Sequence, residues 1–207
     1  LQFIGLTFTG GLSNEDGGSF YIEANTLWNN SLQTNVASQM QPKFKDCVFK
    51  DNEAFKNTDG AAGGALRINS AAAIFENCVF ESNYSNSRGG AISFSGDNQA
   101  RIDTTWFRNS TFKNNGVNDS GQTQNAPKNS YGGAISLDFG MNLIILNSTF
   151  SNNGVVKNNN SSHARGGALS IDEDWSLRVA PLVWDYNYSF TKNNLNHNFN
   201  NGGGLAL

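Results

Sequence analysis

Two cysteines, three prolines and two histidines are all that 207 residues contain of these types, and charged side chains make up only 15% of the chain. Two cysteines do not make a disulfide framework, and their spacing fits no zinc motif. Fourteen Lys and Arg against 17 Asp and Glu leave a formal net charge of −3. Without clustered cations to neutralise phosphates, nucleic acid is not an expected partner. No apolar run approaches the roughly 18 residues that span a bilayer, so no membrane insertion by this segment is expected. No segment shows a helical period. Aromatics are not lacking: at 12% they argue against disorder, because they fill a core.

What the chain has in excess is Asn, 32 residues, and Gly, 22 residues. Much of both falls into a repeat. Glycine pairs open "GGSFYI" at 17, "GGALRI" at 63, "GGAISF" at 89, "GGAISL" at 132, "GGALSI" at 166 and "GGGLAL" at 202, at intervals of 46, 26, 43, 34 and 36 residues. Between them runs Phe-x-x-Asn at Phe49/Asn52, Phe80/Asn83, Phe112/Asn115, Phe150/Asn153 and Phe190/Asn193, with a degenerate copy "FTGG" at 8 to 11. Motifs that hold while the connections vary mark a solenoid with loops inserted into its rungs. Each rung has room for three short strands: one after the glycines, one at "AAIF", "LIIL" or "PLVW", and one at "CVF" or "STF". Such strands bury nothing alone, but stacked parallel copies bury a continuous core. The glycine pair supplies positive φ at a tight corner, the following Ala fits a narrow interior, and the Phe residues stack at about the 4.8 Å strand spacing. The expected fold is all-β, a right-handed parallel β-helix of about six rungs. Residues 1–207 are expected to form one β-helix segment, and since both ends fall inside a repeat, an excerpt of a longer repeat protein.

The paired GGA[ILV] and FxxN motifs resemble the repeats of chlamydial polymorphic outer-membrane proteins, and more broadly of autotransporter passengers and related surface β-helix proteins. Four of six glycine motifs read GGA followed by Ile or Leu, and "GGSF" and "GGGL" depart from the pattern. The resemblance covers the whole chain and implies an extracellular or cell-surface setting. It implies no chemistry, because the matched positions are core and turn.

Enzymes of this architecture resemble one another in placing several carboxylates, often with Lys or Arg, on an outer strand face. Here the outward positions after the glycines are Tyr21, Arg67, Ser93, Ser136, Ser170 and Ala206, with no acid and base pair. One residue further on, Glu23, Asn69, Ser95, Asp138 and Asp172 should stack, with Glu173 and Asp174 beside the last. Two carboxylates in adjacent rungs can share a proton or hold calcium; solvated polar turns are the plainer reading. His163 and His197 lie in loops without ligand patterns, and no metal, cofactor or catalytic residue is expected. Trp106 and Trp184 sit among apolar neighbours, which favours core packing over carbohydrate stacking, while Trp175 follows three acids and is expected to be exposed.

Cys47 and Cys78 hold the same place in successive rungs, two residues before the Phe. Their α-carbons should lie about 5 Å apart, within disulfide reach, so both a disulfide and free thiols remain open, with free thiols favoured. Sequons occur at Asn29, Asn83, Asn109, Asn118, Asn147, Asn159, Asn160 and Asn187. A chain so rich in Asn, Ser and Thr reaches that number nearly by chance, so position says more. Asn29, Asn118, Asn159 and Asn160 fall in long loops and are the better acceptors. Asn109, Asn147 and Asn187 align with Asp46 and Asn77, and Asn83 belongs to the FxxN ladder, so these four read as structural. The functional expectation is a noncatalytic adhesin, coat or filament component displaying variable loops. The alternatives are a carbohydrate-active enzyme using Asp138, Asp172 and Asp174, or a glycan-binding module. A stack cut in mid-rung presents open strand edges, so both ends are expected to be covered by further rungs or by another copy.

Overall fold

The computed structural model describes residues 1–23, 26–29, 34–37, 41–56, 60–95, 104–118, 130–138, 142–156, 164–172, 182–184, 189–191, 194–196, 200–201 and 205–206. These form a parallel β-helix. Its coils pass in order through four six-stranded sheets. Sheet I comprises Gln2–Ile4, Lys43–Lys45, Ile74–Glu76, Thr104–Arg108, Asn142–Leu146 and Leu182–Trp184. Sheet II comprises Thr7–Thr9, Val48–Lys50, Val79–Glu81, Thr111–Lys113, Thr149–Ser151 and Ser189–Thr191. Sheet III comprises Leu12–Ser13, Glu53–Ala54, Tyr84–Ser85, Gly116–Asn118, Gly154–Val156 and Asn194–Asn196. Sheet IV comprises Phe20–Glu23, Leu66–Asn69, Ile92–Ser95, Ile135–Asp138, Leu169–Asp172 and Leu205–Ala206. A three-stranded sheet, Ser130–Tyr131, Ala164–Arg165 and Asn200–Asn201, lies just before the glycines, and Thr26–Asn29 pairs antiparallel with Thr34–Ala37.

The expected three strands per rung are therefore sheets IV, I and II, and sheet III is a fourth. The corner from I to II is one residue in the left-handed region: Gly5, Asp46, Asn77, Asn109 and Asn147, with φ between 49° and 63°. Gly, Asn and Asp are the types that take this conformation at least cost. A second such corner joins II to III at Gly10, Asp51, Ser82, Asn114 and Asn152. The glycine pair divides its work. Gly132 has φ 62°, whereas Gly133 is needed for space, since a Cβ there would collide with the carbonyl oxygen of Gly167 and the backbone of Gly154.

Inside, side chains stack rung on rung. Phe8, Phe49, Phe80, Phe112 and Phe150 form one column with ring centroids 4.6–5.1 Å apart. Phe3, Phe44, Phe75 and Phe107 form another, at 4.8–5.1 Å, and meet the first edge-to-face. Ala65, Ala91, Ala134 and Ala168 are fully buried behind the glycines, as their size requires.

The Asn of each FxxN motif is buried too, and its polar groups are satisfied by the same stacking. Asn83 Nδ2 donates to Phe49 O of the rung before (3.0 Å) and to Asn115 Oδ1 of the rung after (2.9 Å). Its Oδ1 accepts from the backbone N–H and Nδ2 of Asn52. Asn52 and Asn115 repeat the arrangement. In the first rung Gly11 stands where Asn would be, and the Asn52 oxygen takes the Gly11 N–H and the Ser19 hydroxyl instead.

Candidate functional site

Sheet IV carries the acidic row, and its register is the expected one. Glu23, Asn69, Ser95, Asp138 and Asp172 are successive partners, with Asn69 Nδ2 donating to Glu23 at 2.9 Å. The backbone therefore brings Asp138 and Asp172 into adjacent rungs; their side chains, and Asp174 altogether, lie outside the described residues. The neighbouring row also stacks as expected, from Tyr21 through Arg67, Ser93, Ser136 and Ser170 to Ala206. It is not the solvated strip its composition suggests, because Ser93, Ser136 and Ser170 are fully buried. Arg67 is drawn across the row: its Nη1 donates to Ser93, and its Nε faces Asp16 at 3.6 Å. Before the glycines, Tyr131 stands between Arg88 and Arg165, whose guanidinium carbons are 5.1 and 5.4 Å from its ring centre. Nothing in the sequence pattern singled out these three residues. Their place immediately before aligned glycines was the available signal.

Sheet I shows a second outer face, and Trp106 lies on it. Along Thr104–Arg108, Thr105 and Phe107 are buried while Trp106 is partly exposed and Arg108 exposed. Core packing is thus corrected for Trp106. Strand alternation explains it: the inward residue is two before the corner Asn, as Phe75 is to Asn77 and Phe107 to Asn109, and Trp106 is one further back. The Arg108 guanidinium sits over the indole, 4.5 Å from the ring centre. In register with Trp106 are Ile74 and Ile144, both half-buried on the same face. Trp184 pairs with Ile145 in the backbone; Trp175, His163 and His197 lie outside the described residues.

Cys47 and Cys78 occupy the expected shared position and are free thiols, both fully buried. Cys47 Sγ donates to Lys45 O (3.2 Å) and Cys78 Sγ to Phe44 O (3.4 Å), while Ser110 and Ser148 continue the column with hydroxyl bonds to Arg108 O and Leu146 O. Burial pushes the Cys78 thiol up to about 12, so it stays protonated. Of the sequons, Asn109, Asn118 and Asn147 are exposed, and Asn109 Nδ2 donates to Asn77 Oδ1. Asn83 is fully buried with both amide hydrogens engaged, which makes it structural and inaccessible in the folded chain. Asn29 lies in a strand whose side chains are not described, and Asn159, Asn160 and Asn187 lie outside the described residues.

Fold and ladders together define a parallel β-helix solenoid whose outer faces carry long rows of stacked side chains. Comparison with known protein families, with characterised proteins and with solved structures finds no match for this chain.

Proposed function

We propose that this chain is a noncatalytic extracellular protein with a structural or adhesive role at a cell surface, in a coat or in a filament. The observation that carries the reading is the contrast between invariant coil and variable connection. Between sheets III and IV the chain takes six residues at 86–91 and sixteen at 119–134, yet the strands on either side keep register. A rigid support with tolerant insertions is the arrangement of a display scaffold. The resemblance of the GGA and FxxN repeats to those of surface β-helix proteins supports the same reading. Surface biotinylation and protease shaving of intact cells of the native source test it: the chain should be labelled and shed, and protection from both reagents would overturn it. Intact mass before and after glycosidase treatment decides whether the exposed sequons at Asn109, Asn118 and Asn147 carry glycans.

A second reading, a carbohydrate-active enzyme, is favoured by one observation, the adjacency of Asp138 and Asp172 in register. Release of reducing sugar from neutral or polyanionic glycans, lost in Asp138→Asn or Asp172→Asn, would put it first.

A further inference from the structure

We infer that the outer face of sheet I is a binding surface for an acidic glycan, a linear polymer of uronic or sulfated sugars. The inference rests on the surface reading above and deepens it by naming the ligand class. Its outward rows run, rung by rung, through Gln2, Lys43, Ile74, Trp106 and Ile144, and through Ile4, Lys45, Glu76, Arg108 and Leu146. At its centre is Trp106, partly exposed, flanked by two half-buried isoleucines and carrying a guanidinium on its ring. A pyranose presents an apolar C–H face and a polar rim. Flat apolar and aromatic surface takes the first, and cations beside it take carboxylates or sulfates on the second.

Charge selects the acidic class. Lys43, Lys45 and Arg108 share these rows with one carboxylate, Glu76, while exposed Asp46 at the corner beside Lys45 is engaged by Asn77, and none of the three cations makes an ion pair among the described residues. On sheet II the comparable charges are satisfied: Lys113 pairs with Glu81 at 3.1 Å and Lys50 with Asp51 at 3.9 Å. Lys45 and Arg108 are two rungs apart in one row, roughly 10 Å along the axis. Glu76 stands between them in that row, so the two cations are separate contact points about two rungs apart, which suits an extended polymer rather than a compact ligand.

The test is calorimetric titration of the 207-residue protein with a heparin-derived octasaccharide, a neutral cello-oligosaccharide and a single-stranded oligonucleotide. The expected result is binding of the acidic sugar that weakens as salt is raised, none of the neutral sugar, and weaker binding of the oligonucleotide. Trp106→Ala and Arg108→Gln should each weaken binding about tenfold or more with the circular dichroism spectrum unchanged. Lys113→Gln, which removes a charge on sheet II, should leave the affinity unchanged. Should Trp106→Ala perturb the fold, Arg108→Gln, at an exposed position, and Lys45→Gln, half-buried on the same row, carry the test. No binding of the acidic sugar, equal binding of the neutral sugar or of the oligonucleotide, or indifference to Arg108→Gln and Lys45→Gln overturns the inference. Loss of this binding with surface labelling intact removes the inference alone; binding intact in a chain that surface reagents never reach removes the surface reading alone.

Discussion

The Asn83 side chain makes four hydrogen bonds without touching water, and each partner is itself buried. Asn83→Ala would strand the Asn52 N–H and one of its two amide hydrogens and take a bond from the Phe49 carbonyl, and the cost of unmade buried bonds sets the expected loss at about 3 kcal/mol or more. Urea unfolding should show the midpoint falling at constant slope. Asn109 is the contrasting case, exposed and left-handed at φ 52°. Asn109→Gly should change stability by less than about 0.5 kcal/mol, whereas Asn109→Val should cost roughly 1–2 kcal/mol in the same assay, because a branched side chain clashes in that conformation. The chain already makes the first exchange at Gly5. Cys78 supplies a pH signature. Its folded value is raised, so the unfolded chain loses this proton first, and the stability it contributes is complete below pH 9.0 and drains away towards about pH 12. Urea midpoints measured across that window should fall less steeply in Cys78→Ser than in the parent chain.

A corner of the coil depends on backbone approaching backbone. Gly133→Ala puts a methyl group against the carbonyl oxygen of Gly167 and the main chain of Gly154, none of which can rotate away. The loss should be about 4 kcal/mol or more, read as failure to fold or as a collapsed urea midpoint. Gly132→Ala meets left-handed strain and a close Ile135 carbonyl as well. Spacing alone made sheets IV, I and II readable, together with the register of Glu23, Asn69, Ser95, Asp138 and Asp172, because glycine pairs and Phe-x-x-Asn are tied to single places in the coil. Sheet III was not readable. Its strands are two or three residues long, with Glu53, Tyr84, Gly116 and Gly154 in one row and Ala54, Ser85, Val117 and Val155 buried in the other, so no apolar run announces them. Trp106 misled for a different reason: on a two-residue period a shift of one position exchanges core for surface, and its apolar neighbours Ile74 and Ile144 lie on the outside with it. Burial of Ser93 was hidden as well, since Arg67, which donates to it, is 26 residues away in sequence.

Across the described residues each coil pairs its strands with the coils before and after it, so the connections are nearly free to change. Inserting four Gly and Ser residues into 119–129 should lower stability by less than about 1 kcal/mol, since loop closure grows only with the logarithm of length. Thermal unfolding of that variant beside the parent measures it. The column of buried amides has the opposite character. An arriving coil that docks one residue out of step withholds the Asn oxygen that the coil beneath needs for its own N–H and amide. The penalty then falls on structure already formed as well as on the newcomer. The asparagine column therefore ties the phase of each coil to that of its neighbours, so that a slip of one residue anywhere costs buried hydrogen bonds on two coils at once.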